Sequence, residues 1–232
     1  MKILAFDTST EAMSIGLVDG ARAWQHDGAG GAQASAALIP AIEDLMQQAG
    51  LRYAQLAAIA FGAGPGSFTG LRTACSVAQG LGFGAGVPLL PVDSLLAVAE
   101  DARERHGATR IVAALDARMN QMYIARYELL RGRFVRWGDF ALTAPEALAV
   151  EPGWVLAGNV LAPYRDRLAP ALRGSAVDAL PSAAAMLRLA PRLIADGATV
   201  APENALPRYV RDKVAQTTQE RAAAKLQGTA AS

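Results

Sequence analysis

The sequence is poor in the residues that build metal centres and covalent cross-links. It holds one cysteine, Cys75, and two histidines, His26 and His106, in 232 residues. A single cysteine forms no internal disulfide, so the chain reads as a protein of a reducing compartment, the cytosol. Cys75 stands in a run of small apolar residues, where a buried inert thiol is the expectation. The two histidines are far apart and lack i, i+4 spacing, so a zinc site would need several carboxylates. No metal or other cofactor is expected. An excess of one charge sign is also missing: 22 Lys+Arg face 21 Asp+Glu, a formal +1. A protein that grips an RNA backbone unaided carries a basic excess, which argues against stand-alone RNA binding. No run of about 18 uncharged apolar residues exists, so no membrane span is expected. The opening apolar stretch meets Asp7 too soon for a secretory leader.

What the chain does have is apolar material, 52% of its residues, enough for one large domain or two small ones. Ile3 to Phe6, Ala12 to Val18 and Ala21 to His26, with a turn at Asp19-Gly20, read as a three-stranded meander. Leu38, Ile42, Leu45, Met46 and Ala49 form one stripe of an amphipathic helix that Gly50 closes; Pro40 is expected in its first turn or at a kink. Leu56 to Phe61 is a strand, and Ser67 caps a second helix carrying Leu71, Ala74, Cys75, Ala78 and Leu81. Val87 to Pro91 reads as a strand, and a third helix, capped by Asp93 or Ser94, runs to about Arg105 and is closed by Gly107. The opening pattern then returns. Ile111 to Leu115 ends in Asp116 as Ile3 to Phe6 ends in Asp7, and Met122 to Leu130, Arg131-Gly132 and Phe134 to Phe140 follow as strand, turn and strand. Thr143 to Glu146 reads as the start of a helix, Trp154 to Ala157 as a strand, and Ser182 to Ala195 as a helix broken or kinked by Pro191. Meanders followed by alternating helices and strands give an α/β fold of two ribonuclease-H-like units, an actin-like or sugar-kinase-like architecture. The expected division is a first lobe over 1–107, a reduced second lobe over 108–214 and a flexible tail over 215–232, with a short helix conceivable at Glu220 to Leu226.

Three constellations could carry chemistry, and each has two readings. The loop Gly62-Ala63-Gly64-Pro65-Gly66-Ser67 lies between a strand and a helix. It is either a tight turn with a Ser67 cap or an anion site of helix-terminal amides aided by Arg72. It lacks the lysine of a P-loop and the spacing of a dinucleotide fingerprint, and no Gly-x-Ser-x-Gly elbow occurs. Asp7 and Asp116, with Thr8 and Ser9 beside the first, either start turns or hold magnesium and phosphate in an ATP-dependent phosphotransferase. The first two helices, apolar on more than one side, either cover their own sheet and each other or also pair with another chain.

Several stretches together resemble the bacterial TsaB (YeaZ) family: Ile3 to Ala12, Gly64-Pro65-Gly66-Ser67-Phe68-Thr69-Gly70-Leu71-Arg72, Ala78 to Leu81, Leu115 to Met119 and Leu206-Pro207-Arg208-Tyr209-Val210-Arg211. The likeness spans residues 1 to about 214. It implies a fold of the actin-like and sugar-kinase-like ATPase (ASKHA) class in a cytoplasmic, non-catalytic subunit. That subunit works with the catalytic paralogue TsaD and the ATPase TsaE. The complex transfers threonylcarbamoyl from its adenylate to N6 of adenosine 37 in tRNAs reading ANN codons. The first two helices would pair with those of TsaD, or with a second copy when the protein is alone, which implies an interface of Leu38, Ile42, Leu45, Met46, Leu71, Ala74, Ala78 and Leu81. A weak nucleotide or anion site would fall at Asp7, Thr8, Ser9, Gly64, Gly66, Ser67, Arg72 and Asp116, and tRNA would be met only through the complex. The catalytic paralogue holds metal through a His-x-x-x-His helix. Here the matching helix has none, and Ala34-Ser35 stands where relatives often place His-Ser.

Overall fold

A computed structural model describes residues 1–211 of the chain. The expected tail from 215 and the short helix at Glu220 to Leu226 lie outside the described residues. The first sheet contains β1 (Lys2–Asp7), β2 (Ala12–Asp19), β3 (Arg22–Ala29), β4 (Ala58–Gly64) and β5 (Leu89–Asp93), in the order β3-β2-β1-β4-β5. The meander is antiparallel, while β4 joins β1 in parallel and β5 joins β4 in parallel. The second sheet contains β6 (Arg110–Asp116), β7 (Met122–Leu130), β8 (Arg133–Thr143), β9 (Val155–Gly158) and the two-residue β10 (Val177–Asp178). Read from its meander edge, its order is β8-β7-β6-β9-β10, the same order as the first. The chain therefore folds as two ribonuclease-H-like lobes of the ASKHA architecture. The central strand of each lobe ends in the aspartate that the repeat in sequence singles out.

Local chemistry accounts for the helices. α1 (Ala34–Ala49) ends at Gly50, whose φ of +66° lets its amide reach back to Gln47 and Met46. α2 (Phe68–Ala85) starts at Ser67, whose side chain accepts from the Gly70 amide. α3 (Ser94–His106) starts at Asp93, which accepts from Leu95 and Leu96, and closes at Gly107. One expectation is narrowed and another needs correction. Of the two alternatives for Pro40, a first-turn position or a kink, the first is excluded, because Pro40 sits well inside α1. The carbonyl it leaves without a donor, that of Ala36, belongs to an exposed residue, where water can serve it. The helix expected from Thr143 is only a 3-10 turn at Pro145–Ala147, because Leu148 already turns inward beneath the second sheet.

α1 and α2 cover one face of the first sheet, around Phe6, Leu38, Ile42, Phe61 and Ala78. The opposite face is covered by α6 (Ala183–Ala195), through Ala183, Met186 and Ala190 against Ile3, Ala5 and Leu90. α3 packs Leu95, Val98 and Ala102 on the second sheet. The other face of that sheet takes two four-residue helices, α4 (Leu161–Tyr164) and α5 (Pro170–Arg173). Among the described residues, the second lobe thus has no counterpart of the 16-residue α1. By sequence α6 follows the second sheet, yet it closes the core of the first. Beyond it the chain returns to β5 through a bridge of Val200 to Leu89.

Candidate functional site

The ends of β1, β4 and β6 converge on a cleft of about 260 Å³ between the lobes, lined by Ser9, Thr10, Pro65, Gly66, Ser67, Asp116, Arg118, Asn159 and the segment 208–211 among others. The glycine loop forms its lobe-one wall. Gly64 has a φ of +107°, a conformation that favours glycine, and Gly66 packs directly on Ser9. The Ser67 amide donates to the Ser9 carbonyl at 2.7 Å, and the Thr8 hydroxyl donates to the Gly70 carbonyl at 2.7 Å. The loop is thus tied to the β1–β2 turn by bonds from both sides.

The two aspartates have different surroundings. Asp7 is buried, and its Oδ1 accepts from the Ser9 amide at 2.7 Å and from the Ser9 hydroxyl at 2.6 Å. Its Oδ2 accepts from Ser94 at 3.0 Å and faces Gly62, where a β-carbon would collide with it. Burial pushes its carboxyl pKa up although all three of those bonds oppose the shift. Asp116 lines the cleft, and its Oδ1 accepts from the Tyr164 hydroxyl at 2.6 Å and from the Arg118 amide at 2.8 Å. Burial, and then this carboxylate, push the Tyr164 phenol up to about 12. Of the sequence-named group, Ser9, Gly66, Ser67 and Asp116 meet at the cleft, while Asp7, Thr8 and Gly64 lie behind its wall. Arg72 points away, its guanidinium 3.7 Å over the Phe68 ring and its Nε donating to the Tyr209 hydroxyl at 3.1 Å.

Sequence reasoning missed the groups that close the cleft. Glu11 and Arg118, from equivalent turns of the two lobes, pair across it. Arg118, Met119 and Asn120 all have positive φ, so the β6–β7 turn is a left-handed excursion of three non-glycine residues. Arg211 holds that turn by donating to the Ala117 carbonyl at 3.0 Å. The only signal for this was the Leu206–Arg211 stretch itself, which no periodicity explains.

A second cluster joins the lobes below the cleft. Tyr127 donates to Asp93, Arg136 lies 4.0 Å from the same carboxylate, and Arg208 faces it from the C-terminal segment. Desolvation dominates, and the Asp93 carboxyl is raised to about 6. The sign of the consequence is fixed. The folded chain holds this proton between about pH 4 and 6 when the unfolded chain has released it, so the group's contribution is full below pH 4 and is lost as pH rises through 6. Asp93→Asn keeps a cap acceptor and cannot ionise. Relative to the parent, it should gain up to roughly 3 kcal/mol of stability between pH 4 and 7. Urea melts of both proteins across that range check this, and a pH-independent difference would contradict it.

The helical faces require a correction. Leu38, Ile42, Leu45, Met46, Leu71, Ala74 and Ala78 are at most 4% exposed, and all but Leu71 pack in the core between α1, α2 and the first sheet; Leu81 is half-buried against the same core. The stripe chosen for its apolar periodicity is the stripe a helix turns toward its own sheet, so it has no surface left for another chain. The outward faces carry other residues: Ile39, Glu43 and Gln47 on α1, and Thr69, Ser76, Gly80, Phe83 and Gly84 on α2. The α2 stripe is uncharged apart from Arg72, and a β-carbon at Gly80 or Gly84 would meet nothing within 4 Å among the described residues. Phe83 is 78% exposed. Cys75 is buried on the inner side of this helix, its thiol pKa raised by desolvation. Among the described residues, no three His, Cys, Asp or Glu side chains gather to hold a metal, and no helix is long and apolar enough to cross a membrane.

Comparison with known proteins agrees with this geometry. The family model described as TsaD, tRNA N6-adenosine threonylcarbamoyltransferase, matches residues 30–219. The tRNA threonylcarbamoyladenosine biosynthesis protein TsaB of Escherichia coli strain K12 is 35% identical over 224 residues, covering 93% of this chain and 96% of that protein. The TsaB of Haemophilus influenzae is 35% identical over 232 residues, covering 92% and 95%. Among solved structures, YeaZ from Pseudomonas aeruginosa superposes with a TM-score of 0.81 at 38% identity, covering 90% of this chain and 99% of that one.

Proposed function

We propose a role for this chain from one premise: it belongs to the TsaB family. Its relatives are named for threonylcarbamoyladenosine biosynthesis in tRNA, and that is the pathway in which this chain acts. Within it, the chain serves as a non-catalytic subunit that binds and activates a TsaD-type catalytic partner and lets a TsaE-type ATPase dock. It works in the cytoplasm, pairs with a second copy when alone, and meets tRNA only through the complex. One observation carries this reading. The outward stripe of α2 is uncharged apart from Arg72, and beside Phe83 it carries Gly80 and Gly84, which nothing among the described residues requires to be small. A solvated helix face is normally charged; a face of Ser76, Gly80 and Gly84 instead suits close approach of another helix.

Two further observations support it. The chain matches the TsaD model over most of its length, so it has the fold needed for like helices to pair about a pseudo-two-fold axis. An ATP-dependent phosphotransferase would need Asp7 in the cleft, whereas its oxygens are bonded to Ser9 and Ser94 behind the wall. The test is reconstitution. The chain is mixed with the TsaD-type and TsaE-type proteins, an adenylate-forming enzyme, threonine, bicarbonate, ATP and tRNA, and each protein is left out in turn. Modification should vanish without this chain, and this chain alone should modify nothing. Full activity in its absence would end the proposal.

A further inference from the structure

The segment Leu206–Arg211 carries part of the family likeness and plays no part in the reading above. From the 3-10 turn Pro202–Asn204 the chain runs antiparallel to α2 along its whole length. Pro202 lies against Gly82, near the end of the helix. The Ala205 carbonyl accepts from Gln79 at 3.0 Å and from the Cys75 thiol at 3.5 Å. The Arg208 amide donates to Ala63 at 2.6 Å, and Tyr209 stacks on Phe68 at 5.4 Å between centroids while its hydroxyl accepts from Arg72. Arg211 then grips the β6–β7 turn. The segment is a strap pinned at every second or third residue.

Pinned so tightly, the strap nevertheless holds large apolar groups in water. Leu206 is 71% exposed and Tyr209 46% exposed. On a helical wheel of α2, Gln79, Cys75 and Phe68 form the flank that touches the strap. Ser76 and Gly80 form the outward ridge, and Val77 and Leu81 the flank toward α1. Among the described residues, five of the eleven exposed large apolar side chains (Ile39, Phe68, Phe83, Leu206 and Tyr209) fall on α1, α2 and the strap. They form one surface with the ridge of α2 between two walls.

We propose that the strap is the third element of the partner surface, with Leu206 and Tyr209 in direct contact with the catalytic paralogue. This rests on the reading of α2 as the docking helix. The chemistry of the surface selects a protein over RNA. Arg72 on α2 is folded onto Phe68, Arg208 on the strap lies over Phe140 and faces Asp93, Arg211 is bonded to Ala117, and the outward positions of α1 add Glu43 and Asp44, so each arginine described on this surface is already engaged and the added charge is negative. An apolar, nearly uncharged ridge matches a like ridge on a protein of the same fold.

The experiment measures binding of the full chain to its TsaD-type partner by calorimetry for Leu206→Ser, Tyr209→Ser and Gly80→Arg. Leu206 is mostly exposed, so its substitution leaves the fold intact, and thermal melts confirm this for each variant. The expected result is an affinity loss of about tenfold for each strap variant. Protection of the 205–209 amides from hydrogen exchange should appear when the partner is added. If Gly80→Arg abolishes binding while both strap variants bind within twofold of the parent, the strap proposal is overturned and the α2 reading stands. If none of the three changes binding, the reading of α2 falls and the strap proposal falls with it. Tight binding of an RNA oligonucleotide lost in Tyr209→Ser would overturn the choice of a protein occupant.

Discussion

Replacing Gly70 with alanine should destabilise this protein by about 3 kcal/mol or more, while the same change at Gly80, ten residues further along the helix, should stabilise it by about 0.5–1 kcal/mol. Both glycines lie in α2, so the helix-propensity gain is common to both. They differ in what faces them. A β-carbon at Gly70 would fall well inside 3.0 Å of the Thr8 carbonyl oxygen, with Ser9 also close by. Those atoms are backbone and cannot move aside. Thr8 is fixed by its own hydroxyl bond to the Gly70 carbonyl, and Ser9 by the Ser67 amide. Relieving the clash would separate α2 from the β1–β2 turn and break the bonds that hold the glycine loop against Asp7. At Gly80 the space is open. Urea denaturation of the parent and the two variants should place their midpoints on opposite sides of the parent's. Coincident midpoints for the two variants would show that the packing of α2 on the loop is not what holds this lobe. Against a total stability typically of 5–15 kcal/mol, the loss at Gly70 is a large fraction.

How much of this was legible in the sequence depends on the range of the interaction. The succession of strands along the chain and its repetition could be read because each strand-aspartate, strand, turn, strand unit is local. Caps at Ser67 and Gly107, and a cap at Asp93 or Ser94 that the structure places at Asp93, could be read because a cap is decided by four or five consecutive residues. The inward face of α1 could be read from its spacing, but periodicity finds the face that a chain buries in itself and is silent about a face buried in a partner. Leu38, Ile42 and Leu45 were therefore assigned to a partner although they belong to the core. What marks the outward face is the absence of charge and of side chains, at Ser76, Gly80 and Gly84, and absence has no period. The closure of the cleft was the least legible part. Arg211 reaching Ala117, and Glu11 pairing with Arg118, join residues about a hundred positions apart, and the left-handed run at Arg118, Met119 and Asn120 has no glycine to announce it. Asp7 shows the same limit. Its position at a strand end was plain, but whether it faced a cleft or a wall depended on Ser94, which lies 87 residues away.

Gly80→Arg should leave the isolated chain folded and reduce its affinity for the catalytic partner at least about 100-fold, a loss of roughly 3 kcal/mol. Because a β-carbon there meets nothing, the arginine side chain extends into solvent in the free protein, and its helix propensity exceeds that of glycine. In the complex the same side chain would stand where another helix backbone must approach. Either the helices separate by the thickness of the side chain, or a guanidinium is buried without a partner, and both outcomes forfeit most of the contact. Gly84→Arg, one turn further on, should behave alike, because it lies on the same ridge. Leu45→Glu would also abolish binding but proves nothing, since a carboxylate in that core unfolds the lobe first. The discriminating pair of measurements is therefore a melt of each free variant and a titration with the partner. A Gly80→Arg chain that melts at or above the parent temperature and fails to bind locates the interface on this ridge. A chain that melts normally and binds within about threefold of the parent would leave the small, uncharged face of α2 without the partner that explains it.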